Sequence, residues 1–325
     1  MNSILTVQDL HVTFSSRFEE IHAVRGISYH LEEGEWLGII GESGCGKSTS
    51  SKALLGLLAD ETVIKGKILF QDKQLNACTE SEIRQIRSKE IAFIPQDCMT
   101  ALNPTMKIGL QILEAQKKSS PFTSFSQAEE AARLLLEELG LEFDSLKDAY
   151  PHMISGGMRQ RTLIAIALIR EPKMIIADEP TTALDKKLKK IVLDGLKRRQ
   201  QENKLSLLLI SHDLESMAEY CDRILVMYAG KIVEYGDAKT IFRHPRHPYT
   251  KGLVNSLIKI DQDKNKPLNF IKGQPPHLNV PLNRCAFCER CEEAMNVCAI
   301  LSPPLYQINP LHQSACFKHD PGDRA

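Results

Sequence analysis

The chain has 325 residues, 42% of them apolar and 25% charged, with 41 basic residues balancing 41 acidic ones. That length leaves room for about two domains, and the charge balance excludes bulk attraction to nucleic acid or anionic lipid. No apolar run approaches the roughly 18–20 residues needed to span a bilayer, and the opening MNSILTVQDL lacks a secretion-signal layout. A cytosolic chain is expected, with any membrane role reached through a partner.

In chain order, Ile4–Val7, His11–Phe14 and Gly26–Leu31 read as strands, the last ending at the Glu33-Gly34 turn. Trp36–Ile40 is a short apolar run entering a glycine-rich loop, as a buried parallel strand does. A helix is predicted over Ser48–Leu58, then strands at Ile68–Phe70 and Ile91–Ile94. From about Ile108 to Leu139 the spacing is helical, broken by the polar stretch Ser119–Ser126, and Thr162–Ile169 is helical again. Met174–Ala177 is a strand, Lys186–Glu202 a basic amphipathic helix, and Leu205–Ile210, Ile224–Tyr228 and Lys231–Tyr235 are late strands. Alternating strands and helices argue for an α/β sheet with a helical insert at about 100–160. Past about Phe242 the chain becomes His- and Pro-rich, crosses a polar linker near Asp261–Lys266 and ends in a cysteine cluster. Domains at 1–242 and 243–325 are expected.

Gly41-Glu42-Ser43-Gly44-Cys45-Gly46-Lys47-Ser48-Thr49 fits G-x-x-x-x-G-K-[ST]. The glycines let backbone N–H groups face phosphate oxygens, Lys47 reaches the β/γ oxygens, and the Ser48 hydroxyl ligates Mg²⁺. Asp178-Glu179 closes an apolar strand, where α/β sheets hold ligands. Asp178 is read as the Mg²⁺ carboxylate and Glu179 as the general base on the attacking water. Gln96 and His212 each follow a predicted strand, placed to reach Mg²⁺ or the water and the γ-phosphate respectively. Ser155-Gly156-Gly157 opens a second helix, whose N–H groups and positive end suit another phosphate. Cys45, near a helix start, is expected to have a lowered thiol pKa, with alkylation blocking ATP binding.

These residues, in this order, resemble the nucleotide-binding subunit of an ABC transporter. The resemblance implies a P-loop ABC ATPase fold with a RecA-like core, an antiparallel β part, a helical subdomain and a small Cys-rich extension. It implies that Gly41–Thr49 is the Walker A loop, Gln96 the Q-loop residue, Ser155–Met158 the signature and Asp178-Glu179 the Walker B pair. His212 becomes the switch histidine and Asp185 the carboxylate bridging two subunits; Phe14 and Phe18 both qualify as the adenine-stacking aromatic. Gln96–Pro104, the Met-Arg-Gln-Arg continuation of the signature and His247-Pro248-Tyr249-Thr250 are similar to the oligopeptide/dipeptide/nickel import branch. Departures are Ile154 for Leu, Cys98 for Pro, and the basic run Lys186–Lys190, which reads as a solvated helix face.

By that resemblance Cys285, Cys291, Cys298 and Cys316 hold a [4Fe–4S] cluster. The extra Cys288 gives a Cys-x-x-Cys-x-x-Cys run and keeps the ligand set open; tetrathiolate zinc and free thiols are the alternatives. The implied assembly has a second ATPase subunit, a heterodimer closing on ATP, two permease subunits docked by the helical insert, and an external binding protein. It sits peripherally at the cytoplasmic face of the membrane and uses no nucleic acid. The expected function is powering di- or oligopeptide import; nickel or a metal chelate is the alternative cargo. A soluble ABC ATPase acting on nucleic acid or ribosomes, or a metal-binding regulatory protein, are the readings from other classes.

Overall fold

A computed structural model of the chain describes residues 2–16, 19–119, 124–256, 271–280 and 282–322. Phe18 and the predicted linker at Asp261–Lys266 lie outside the described residues. The strands are β1 (Ser3–Ser15), β2 (Glu20–Glu32), β3 (Trp36–Ile40), β4 (Val63–Phe70), β5 (Lys73–Gln74), β6 (Ile91–Ile94), β7 (Met174–Asp178), β8 (Ser206–Ile210), β9 (Arg223–Tyr228), β10 (Lys231–Asp237), β11 (Tyr306–Asn309) and β12 (His312–Ser314). The chain divides into two compact units, Met1–Ile4, Leu31–Trp36 and Ala77–Ile210 in one, Leu5–His30, Leu37–Asn76 and Ser211–Ala325 in the other.

In the first unit β6, β7 and β8 form a parallel ladder with Ile94 opposite Ala177 and Asp178 opposite Ile210. Every residue of β7 and β8 is buried, which is why both read as continuous apolar runs rather than alternating ones. The predicted insert at about 100–160 contains helices at Ile108–Ser119, Phe125–Glu138 and Phe143–Leu146, and helix Gly156–Leu168 begins at its end. Phe125–Glu138 begins in a capping box: the Ser124 hydroxyl accepts from the Gln127 N–H while Gln127 reaches back. It buries Ala128, Ala132, Leu135 and Leu136, one helical stripe. Helix Lys186–Asn203 buries Val192, Leu193 and Leu196 and leaves Lys186, Lys187 and Lys190 exposed. The basic run is therefore a solvated face.

The second unit holds an antiparallel sheet in the order β2-β1-β4-β5 and the strands β11-β12-β10-β9-β3, of which only β3 and β9 run parallel. Three expectations are corrected here. Ile4–Val7 and His11–Phe14 are one strand, β1, interrupted by a register shift between Gln8 and His11 where Asp9 adopts φ 47°. The polar Gln8-Asp9 pair between the two predicted strands lies in a bulge. The helix predicted over Ser48–Leu58 runs from Lys47 to Leu54, and β2 starts earlier than Gly26. A feature absent from the sequence reading is that the extension joins the sheet: β12 pairs with β10, with Gln313 opposite Tyr235.

Candidate nucleotide site

The phosphate loop springs from β3, whose five residues are all buried. Its tightness requires glycine at two points. A Cβ at Gly41 would lie 2.2 Å from the Met227 carbonyl oxygen, and one at Gly46 (φ 103°) 2.4 Å from that of Ala23. Gly46 also caps helix Lys47–Leu54, and no side chain bonds the helix start. First-turn N–H groups are thus left to a ligand, the arrangement that binds phosphate. Lys47 is buried, and its ammonium donates to the carbonyls of Gly41 and Glu42, both at 2.8 Å. Ser48 and Thr49 are half-buried on the first turn. His212 is exposed and follows Ser211, whose N–H donates to the Ile39 carbonyl at the base of the same loop.

Cys45 departs from expectation. It is buried, and burial pushes its thiol pKa up despite the opposing ammonium of Lys47. Desolvation of the thiolate outweighs nearby positive charge, so the reading of Cys45 as an acidic, readily alkylated thiol is withdrawn.

The acidic pair belongs to the other unit. Asp178 and Glu179 are 1% and 8% exposed. Glu179 adopts φ 53°, unusual for a non-glycine residue. Its N–H donates to the Ile210 carbonyl at 2.8 Å, and its own carbonyl accepts from Gln160 Nε2 at 3.1 Å and Thr182 Oγ1 at 3.2 Å. Thr182 Oγ1 also lies 3.1 Å from the Glu179 carboxylate. Surroundings that over-determine a strained backbone are typical of functional positions. Gln96 is exposed two residues past β6, so it leaves the same C-terminal edge of the parallel ladder as Asp178.

Ser155 caps helix Gly156–Leu168, its hydroxyl accepting from the Met158 N–H at 3.3 Å. A Cβ at Gly156 would meet nothing within 4 Å, whereas one at Gly157 would press the Ala183 carbonyl at 3.2 Å. The helix start is open outward and tightly seated behind. Asp185 caps helix Lys186–Asn203 through the Leu188 N–H. Phe14 is half-buried on β1.

Sequence reasoning assigned no role to Gln160. Its amide donates to the Glu179 carbonyl and accepts from the Ala183 N–H at 2.9 Å, tying the signature helix to the acidic loop. Flanked by Arg159 and Arg161, Gln160 carries no advance signal in the sequence. Glu42 and Arg290 form a second unforeseen pair.

In the extension, Cys285, Cys288, Cys291, Cys298 and Cys316 line one small cavity beside Phe287. The Cys285 N–H donates to the Cys298 carbonyl at 3.0 Å. Burial, then the neighbouring cysteines, push the Cys285 thiol up to about 11, and burial raises Cys291 and Cys316 as well. A cation or cluster would relieve that crowding. As they stand, no three His, Cys, Asp or Glu side chains among the described residues converge as a metal-holding group. The fit to a thiolate-bound centre is therefore one of donor type and neighbourhood.

A phosphate loop rooted on a buried strand and an acidic pair at a parallel-strand edge define a P-loop ATPase. The chain belongs to the ABC transporter ATP-binding family, in the branch carrying the oligopeptide/dipeptide transporter C-terminal region. The ABC transporter pattern matches residues 24–182 and that of the C-terminal region matches 233–298. The dipeptide transport ATP-binding protein DppD of Bacillus subtilis (strain 168) is 43% identical over 98% of this chain and 96% of that protein. The oligopeptide transport ATP-binding protein OppD of Escherichia coli (strain K12) is 40% identical over 98% and 94% respectively. Among solved structures, the ATP-binding cassette MJ0796, a dimer in a post-hydrolysis state bound to ADP and Pi, aligns with a TM-score of 0.67 and 26% identity. It covers 72% of this chain and 99% of that one. The chain is accordingly an ATP-hydrolysing ABC subunit.

Proposed function

We propose that this subunit powers import of di- and oligopeptides through a transporter in the cytoplasmic membrane. The observation that carries this reading is similarity running through the extension, at 43% identity, to a dipeptide transport ATP-binding protein. No helix among the described residues is long and apolar enough to cross a membrane, which agrees with a peripheral subunit serving two permease partners and an external binding protein. Residues 1–242 form the ATPase part and 243–325 the extension.

ATP lies with its phosphates on Gly41–Thr49 and is covered by Ser155–Gly157 of a second ATPase subunit, a different chain in our reading. Support comes from the open start of helix Gly156–Leu168 and from the dimeric form of the MJ0796 cassette. Ser48, Gln96 and Asp178 would hold Mg²⁺, which would supply neutralisation of the triphosphate's negative charge. Glu179 accepts the proton of the attacking water, and His212 meets the γ-phosphate. Deleting this chain in its host should abolish uptake of a labelled dipeptide while sparing labelled nickel. The opposite pattern overturns the peptide assignment.

For the extension we propose a [4Fe–4S] cluster held by Cys285, Cys291, Cys298 and Cys316, acting as a structural clasp; the observation behind it is that all five cysteines of the extension line a single cavity, beside His247, Glu293 and apolar side chains. Protein purified without oxygen should carry iron and acid-labile sulfide rather than zinc. Stoichiometric zinc, or neither metal, refutes the cluster. Iron lost in Cys288→Ser but retained in Cys316→Ser refutes the ligand set.

A further inference from the structure

The cysteine extension reaches the phosphate loop itself. Residues Cys288–Arg290 form a single 3-10 turn. Phe287, which lines the cysteine cavity, and Arg290 carry contacts from this turn to the residues around the loop. The Phe287 ring packs edge-on against Tyr228 and Tyr249, with centroids at 5.3 and 5.5 Å. The Arg290 guanidinium makes a two-pronged pair with the Glu42 carboxylate, Nη1 to Oε2 at 2.6 Å and Nη2 to Oε1 at 2.9 Å. Its remaining donors are also used: Nε on the Lys272 carbonyl at 2.8 Å, and Nη1 on the Tyr228 hydroxyl at 3.2 Å. The Arg290 side chain is 4% exposed and that of Glu42 27%.

Glu42 is the second residue of the phosphate loop and is held at three points. Its N–H donates to the Tyr249 hydroxyl at 2.7 Å, its carbonyl accepts from Lys47 at 2.8 Å, and its carboxylate is clamped by Arg290. A carboxylate in a loop meant for a triphosphate is an electrostatic liability. Unpaired, it repels the ligand and competes for the Lys47 ammonium; paired in a fixed fork, it is neutralised and immobilised.

We propose that Arg290 is a positioning residue of the ATP site, which neutralises and fixes Glu42 so that the extension sets the affinity of the phosphate loop for nucleotide. The proposal rests on the reading of Gly41–Thr49 as the ATP-binding loop. Arg290 touches no reacting atom, so its loss should appear in affinity rather than in the chemical step.

The test uses the assembled transporter and a fluorescent ATP analogue, with ATPase rates measured in parallel. Arg290→Gln should raise the nucleotide Kd and the KM for ATP roughly tenfold or more, with kcat at saturating ATP changed less than about twofold. Adding Glu42→Gln removes the stranded charge and should recover most of the lost affinity. Arg290→Lys keeps charge without the fork and should fall between wild type and Arg290→Gln; it also serves if the Gln variant does not fold. Unchanged affinity in Arg290→Gln and Arg290→Lys overturns the proposal. So does a double variant no tighter than Arg290→Gln, because Arg290 would then serve only the fold of the extension. Lys47→Ala separates the underlying reading: if it binds the analogue as wild type does, the loop is not the ATP site.

Discussion

Glu179→Gln should lower ATP turnover by roughly 10²–10⁴-fold, the usual range for loss of a positioned general base, while leaving nucleotide affinity within about twofold. The substitution preserves volume and the contact between Thr182 Oγ1 and the side chain, so the strained backbone at φ 53° keeps its supports from Gln160, Thr182 and Ile210. What changes is the ability to accept a proton from water. The groups that hold phosphate, Lys47 and the N–H groups of Gly41–Thr49, are untouched. Binding without hydrolysis should therefore accumulate an ATP-bound dimer, visible as a shift in size-exclusion elution with ATP and its absence with ADP. Wild-type turnover in this variant would remove Glu179 from the role of base.

Much of this site was legible because its chemistry is local in sequence. Nine consecutive residues make the phosphate loop, an apolar run delivers Asp178 and Glu179, and a Ser-Gly-Gly turn caps a helix; each can be read from spacing alone. Where the reading failed, the deciding interaction was distant or depended on burial. Gln8-Asp9 interrupts an apolar alternation, and only the facing strand β4 shows it as a bulge in a continuous β1. Cys45 has the neighbours of an acidic thiol, but burial reverses the sign of the shift. Glu42 and Arg290 stand 248 residues apart, and neither alone carries a signal for the other. The strands β11 and β12 were missed because their residues, Tyr-Gln-Ile-Asn and His-Gln-Ser, are short and polar. They are strands because β10 offers an edge to pair with, an instance of tertiary context overriding propensity.

The same extension carries the largest expected stability effect. Glu234 on β10 is fully buried, and its carboxylate accepts from the Arg246 N–H at 2.7 Å, the His247 N–H at 2.8 Å and lies 2.7 Å from His312 Nε2. Glu234→Ala strands these polar groups in the interior and should cost about 3–5 kcal/mol, lowering the thermal midpoint and freeing β12 from β10. His247 adds a pH dependence of definite sign. Burial, with Lys251 and His319 acting in the same direction and Glu234 against them, lowers its pKa from 6.5 to about 4. The unfolded chain therefore binds the proton first as pH falls. The contribution is fully present above about pH 6.5 and is lost toward pH 4, at about 1.4 kcal/mol per pH unit once below the unfolded value. Unfolding free energies from urea titrations at pH 7 and pH 5 should differ by about 2 kcal/mol from this group alone. His247→Asn, whose side chain can still accept from the Tyr249 N–H as His247 Nδ1 does, should remove that difference. An unaltered difference would show that His247 is not the titrating group. Because Tyr249 follows two residues later and its hydroxyl holds the Glu42 N–H, acidification that loosens His247 should also weaken ATP binding in wild type, and less so in the Asn variant.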